Sequence, residues 1–154
     1  SWDLDRWAAA WRRTLDVNLV AAALLCKEAI LHFESRGGGI IVNMASRAAF
    51  RGDDPDYQNY AASKAGIVAM TRTIARHYGR SGITAFAVAP GFVNTSLNAA
   101  FLERFGVEAA IETIPLGAMA EPEDVAATVM FLASGLARHA TGTTIDINGA
   151  SYVR

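Results

Sequence analysis

The sequence predicts an α/β fold: a parallel sheet with helices on both faces. Three observations carry that expectation. Helical and strand-like patterns alternate along the whole chain. The strand-like runs are short, rich in apolar residues and poor in polar ones, as strands buried on both faces are. Turn residues mark each change of pattern. Such alternation implies right-handed crossovers between parallel strands.

Asp5 to about Glu34 reads as helical, with Trp7, Trp11 and Leu15 leading into the dense apolar stretch Asn18 to Leu31. Within that stretch Asn18, Lys27 and Glu28 are the only strongly polar side chains. A helix apolar nearly all round is buried on more than one face, here between its own sheet and a partner subunit. Cys26, in its middle, reads as a buried structural thiol. Arg36-Gly37-Gly38-Gly39 stops the helix, and Ile40 to Ala45 follows as the first strand. Asp53-Asp54-Pro55 is a turn and a helix start, and Tyr57 to about Tyr78 is the next helix. Gly79 to Gly82 ends it. Ile83 to Ala89 is the second strand, closed by Pro90-Gly91. Residues 92–120 read as less regular, with Phe92, Leu97, Phe101, Leu102 and Phe105 either lining a substrate lid or simply packing. Glu121-Pro122-Glu123-Asp124 opens a further helix, with proline in its first turn and acids at the positive end of its dipole. That helix runs to about Ser134. Thr143 to Ile147 is the third strand, and Asn148-Gly149 a turn.

Composition narrows the function classes. A chain of 154 residues allows one domain with a sizeable core. With 52% hydrophobic and 19% charged residues, disorder is excluded. Fourteen basic against fifteen acidic residues argue against a nucleic-acid partner. One cysteine excludes an internal disulfide and fits a reducing compartment, so a cytoplasmic location is expected. No apolar run reaches the length of a bilayer span, so no membrane association is expected. Ser1 to Arg13, with its tryptophans and mixed charges, does not read as a signal peptide. His32, His77 and His139 lack metal-ligand spacing and read as ordinary surface or helix-end residues, and no metal site is expected.

Ligands of open α/β sheets bind beyond the carboxyl ends of the strands. Ala45-Ser46 and Pro90-Gly91 fall there. The sharpest chemical feature is Tyr60-Ala61-Ala62-Ser63-Lys64. Positions four apart share a helix face, so phenol and ammonium can point into one cleft. A fixed positive charge favours phenolate over phenol. A tyrosine so tuned can exchange a proton with an alcohol or carbonyl oxygen. A chance surface pair is the bland alternative for these two residues alone. Ser46, fourteen residues earlier, could hydrogen-bond the same substrate oxygen. Asn18, taken alone, reads as a buried amide bonded to backbone. Tyr57 is set aside, because Ala61 lies four residues on. Arg47 and Arg51 follow Ser46 closely. They read as solvated loop charges in preference to contacts for an anionic substrate group.

Taken together, these residues resemble the short-chain dehydrogenase/reductase family. The resemblance rests on Asn18 in Asp16-Val17-Asn18-Leu19, Ser46 in Ile41-Val42-Asn43-Met44-Ala45-Ser46, and Tyr60 with Lys64. It also rests on Pro90-Gly91-Phe92-Val93-Asn94-Thr95 and on Thr141-Gly142 before the last strand. It spans Trp7 to Gly149 and looks most like 3-oxoacyl-[acyl carrier protein] reductases and nearby sugar or polyol dehydrogenases. The resemblance implies a Rossmann-type fold and hydride transfer between NAD or NADP and a small-molecule alcohol or ketone. It implies that Tyr60 is general acid and base, that Lys64 supports Tyr60 and holds the nicotinamide ribose, and that Ser46 polarises the substrate carbonyl. Asn18 would hold a water linking Lys64 to solvent. Pro90, Gly91, Val93 and Thr95 would contact the nicotinamide end and the phosphates. A homo-oligomer, dimer or tetramer, is implied through the apolar helices.

One departure from the family is large. Its N-terminal strands and Gly-rich dinucleotide loop are not found in these residues. Gly37-Gly38-Gly39 follows a helix and precedes a strand, the reverse of the order that aims a helix N-terminus at a pyrophosphate. Two readings follow. In one, residues 1–154 are the C-terminal catalytic portion of a single NAD(P)-binding domain that usually needs roughly 250 residues. In the other, they form a truncated or degenerate, inactive relative that acts through its oligomerising helices.

Overall fold

The computed structural model describes residues 3–154. Among the described residues the sheet holds three parallel strands, β1 (Gly39–Met44), β2 (Ile83–Pro90) and β3 (Thr144–Ile147), in spatial order β1-β2-β3. The helices are α1 (Leu4–Leu15), α2 (Ala21–Arg36), α3 (Ala48–Arg51), α4 (Gln58–Tyr78), α5 (Ala99–Ile111) and α6 (Pro122–Ala133). The expected alternation and the parallel sheet are both present.

The pleat sorts the core. Successive strand side chains point to opposite faces. Ile41, Ile83 and Ala85 pack with Cys26 and Ile30 of α2 and Ile74 of α4. Ala87 and Ala89 pack with Ile67 and Val68, also from α4. Phe86 and Val88 face the other way, against Leu132 of α6, joined by Ile40, Val42, Ile145 and Ile147. Both faces of the sheet are therefore covered, and β2 is buried from Ile83 to Ala89. This explains its nearly unbroken apolar reading, interrupted by Thr84. Cys26 is buried as expected. Its thiol donates to Asn43 Oδ1 at 3.5 Å, and Asn43 Nδ2 donates to Thr71 Oγ1 at 2.9 Å. Burial pushes the Cys26 thiol above its ordinary pKa, opposed by that hydrogen bond.

Two expectations need correction. The first helix is not uniform: a π turn, Asp16–Val20, separates α1 from α2, and the Ala21 amide reaches back to the Asp16 carbonyl. A π turn is set by its backbone hydrogen bonds, and the apolar residues around it are too dense for its phase shift to be read from the sequence. Residues 92–120 are more regular than expected, with a 3₁₀ turn (Ser96–Asn98) and α5. Gly106, at φ 81° and ψ 163°, breaks the path of α5, so no single helical period runs through it. Toward the sheet, α2 buries Cys26 and Ile30, and Leu24, Leu25 and Leu31 are exposed on the face expected to meet a partner subunit. The expectations for the Leu97 and Phe105 side chains lie outside the described residues.

Glycines set where β1 starts. Gly38 has φ +137° and Gly82 has φ +76°, backbone that side-chain-bearing residues rarely adopt. A Cβ at Gly38 would stand 2.6 Å from the Gly82 carbonyl oxygen, and one at Gly82 would stand 2.7 Å from that of Gly37. The two turns interlock, and pairing begins at Gly39 opposite Ile83.

Candidate active site

The carboxyl ends of the strands build the site. Pairing continues past β1: the Ala45 amide donates to the Val88 carbonyl at 2.8 Å and the Arg47 amide to the Pro90 carbonyl at 2.9 Å. Beyond β2, the Gly91 amide donates to the Ile147 carbonyl at 2.9 Å. These bonds fix Ser46 beside Pro90-Gly91, at the position where open α/β sheets hold ligands. A cavity of about 390 Å³ opens there, within the usual range for small-molecule sites. Ser46, Tyr60, Pro90 and Gly91 all line it.

Tyr60 and Lys64 sit one turn apart near the start of α4. The Lys64 ammonium lies 5.7 Å from the centroid of the Tyr60 ring and donates to the Met44 carbonyl at 2.9 Å. That bond ties α4 to the end of β1. Burial pushes Lys64 below its ordinary pKa of 10.5. The Ser46 hydroxyl accepts from the Ala48 amide at 3.1 Å, which leaves its own O–H free to donate. Asn18 lies in the π turn. Its amide donates to Ser63 Oγ at 3.2 Å, and Ser63 Oγ donates to the Tyr60 carbonyl at 2.7 Å. Asn18 therefore reaches the Tyr60 turn through another side chain, not through the backbone contact expected of it alone. Val93 and Thr95 lie past the cavity wall. The Val93 carbonyl accepts from Asn98, and Thr95 precedes the 3₁₀ turn.

The depressed Lys64 value has a testable sign. The unfolded chain binds the Lys64 proton more readily than the folded one, so this component of stability grows as pH rises from neutrality toward 10.5. Lys64→Met lacks it. The unfolding free energy of the native chain, minus that of the variant, should therefore increase over that interval in urea titrations. A flat difference would show that the ammonium is not desolvated.

Sequence reasoning missed three features here. Tyr57, set aside, lines the same cavity while staying exposed. Ser63, fully buried, is the link between Asn18 and Tyr60. Arg47 is 6% exposed, not a solvated loop charge. It donates from Nη1 to the Ser151 hydroxyl, 104 residues away in the chain, and that distance hid its burial. Arg51 is exposed, as are His32, His77 and His139.

A covered parallel sheet with its cavity beyond the strand ends defines an α/β protein of Rossmann type. A family model described as enoyl-(acyl carrier protein) reductase matches residues 4–150. The chain belongs to the short-chain dehydrogenase/reductase family. It is 42% identical over 141 residues to 3beta-hydroxysteroid dehydrogenase 1 of Eggerthella lenta, covering 90% of this chain and 54% of that protein. It is 41% identical over 137 residues to a 3-oxoacyl-[acyl-carrier-protein] reductase of Rickettsia felis, covering 89% of this chain and 56% of that one. Among solved structures it is similar to a protein of Beutenbergia cavernae described as an NAD(P)-dependent gluconate 5-dehydrogenase, with NADP bound. The TM-score is 0.89 at 34% identity, over 94% of this chain and 58% of that one. The chain thus spans about half the length of the curated relatives it matches.

Proposed function

We propose that residues 1–154 are the C-terminal catalytic portion of an NAD(P)-dependent oxidoreductase that interconverts a secondary alcohol and a ketone. The observation that carries this reading is the shared cavity wall of Ser46 and Tyr60, with the Lys64 ammonium 5.7 Å from the Tyr60 ring. The donor set suits the nicotinamide end of the cofactor. Lys64 offers an ammonium for the ribose, and Pro90 and Gly91 line the cavity at the strand ends. Val93 and Thr95, just beyond, are the further contacts in this reading. None of the three described strands is followed by a Gly-rich turn that opens a helix, so the pyrophosphate is not assigned to these residues.

When bound, the nicotinamide supplies or accepts the hydride. The chain's own residues handle the proton and the geometry. The Ser46 hydroxyl donates to the substrate oxygen and orients it. The Tyr60 hydroxyl gives its proton to that oxygen in reduction and takes it back in oxidation. The Lys64 charge favours the phenolate that remains. Asn18, anchored through Ser63, holds the water that connects Lys64 to solvent. Homo-oligomerisation is part of the reading, supported by the exposed Leu24, Leu25, Met130 and Phe131 on the outer faces of α2 and α6. The single free cysteine suits a reducing compartment such as the cytoplasm.

The test is titration of the full-length protein that carries residues 1–154 with NAD and NADP, followed by alcohol-dependent appearance of reduced nicotinamide. Saturable binding with turnover is the expected result. Binding of neither nucleotide would favour the inactive, oligomerising alternative.

A further inference from the structure

Arg47 is a group that the reaction above leaves unused. It follows Ser46 directly, lines the same cavity and is 6% exposed. Arginine is almost never so buried unless paired. Yet among the described residues no acid forms an ion pair with Arg47. A guanidinium carries five N–H donors. Nη1 donates to Ser151, and Cζ stands 5.0 Å from the centroid of the Phe92 ring, so the group is held in a fixed position. The sealed polar atoms that lack partners are Thr84 Oγ1, Thr144 Oγ1 and Asp146 Oδ1. The remaining donors of Arg47 are not among them, so they are not sealed, and Arg47 itself lines the cavity.

We propose that Arg47 anchors a carboxylate carried by the substrate, so that the site takes hydroxy and oxo carboxylic acids. This rests on the oxidoreductase reading and names its substrate class. A planar fork with unused donors matches a carboxylate in two parallel hydrogen bonds, and that geometry is specific as well as strong. Burial lowers the Arg47 pKa and the nearby Arg51 lowers it further, while Asp53 raises it. Arg51 lines the same cavity, so a bound anion meets two positive charges there. A single negative charge suits it better than a phosphate dianion, because Asp53 and Asp54 also line the cavity. The Phe92 and Phe101 rings, 5.1 Å apart, form an apolar wall for the hydrocarbon body of the acid.

The experiment is calorimetry on the full chain with α-, β- and γ-hydroxy acids, each beside its methyl ester. At least one acid should bind about tenfold or more tightly than its ester, the scale of a charge-assisted hydrogen bond. Arg47→Met should erase that preference, and Arg47→Lys should keep part of it. Melting temperatures report whether the variants fold. Esters that bind as tightly as acids to the unsubstituted chain overturn the proposal without any variant. So does a preference that survives Arg47→Met, or tighter binding of the corresponding phosphate monoesters. Because the ratio is read from binding alone, a chain without turnover would defeat the oxidoreductase reading and still decide the role of Arg47.

Discussion

Tyr60→Phe is expected to lower turnover by about 10²–10⁴-fold, the scale of a lost general acid–base. The substitution removes one oxygen and leaves the ring on α4 beside Lys64. The hydrogen bonds that Tyr60 makes run through its backbone. Its amide donates to Asn59 Oδ1 at 2.8 Å, and its carbonyl accepts from Ser63. Folding therefore has little to lose, and nucleotide affinity should stay near that of the unsubstituted chain. The loss should fall on kcat, because proton transfer belongs to the transition state and not to ground-state binding. Steady-state formation of reduced nicotinamide by the full chain measures it. Near-normal turnover would remove Tyr60 from the reaction.

The largest stability effect is expected at Phe86. It sits in the central strand, is 1% exposed, pairs in register with Val42 and packs against Val88 and Leu132. Phe86→Ala deletes the ring from the layer between the sheet and α6. Such core truncations cost about 3–5 kcal/mol, from lost transfer energy and the cavity left behind. That is a large share of a typical folding free energy of about 5–15 kcal/mol. Urea denaturation of the full chain gives the difference. A cost under about 1 kcal/mol would mean that the layer collapses to fill the space.

The strands were legible because their burial is written locally. β2, apolar but for Thr84, is covered on both faces, and the glycines and Pro90 around it mark its ends. The start of α6 was legible for the same reason. Glu121 and Asp124 cap its first turn reciprocally, with the Glu121 amide bonded to Asp124 Oδ2 at 2.8 Å. Within the candidate site, Tyr60 and Lys64 could be paired because four residues of helix bring them together. What stayed hidden depends on contacts distant in sequence or on a local break in period. The surroundings of Arg47 come from Pro90, Phe92 and Ser151, which no window around residue 47 contains. Ser63 looked like one more small residue on a helix until Asn18 was brought against it. The π turn falls in an apolar run too dense for its phase shift to be read, and the break at Gly106 leaves α5 without one continuous period.

The interlocked glycines at the start of β1 have a consequence far from where they sit. Ser46 lies seven residues beyond Gly39, and Pro90 seven beyond Ile83, its register partner. At about 3.3 Å of rise per residue, the glycine turns stand roughly 23 Å from the cavity they align. They work as the datum from which both loops are measured. A side chain at Gly38 or Gly82 that slid one strand by a residue would part Ser46 from Pro90. It would also turn the strand's buried side chains to the opposite face. Substitutions at this opposite end of the sheet should therefore register as losses of chemistry, although they touch no reacting group.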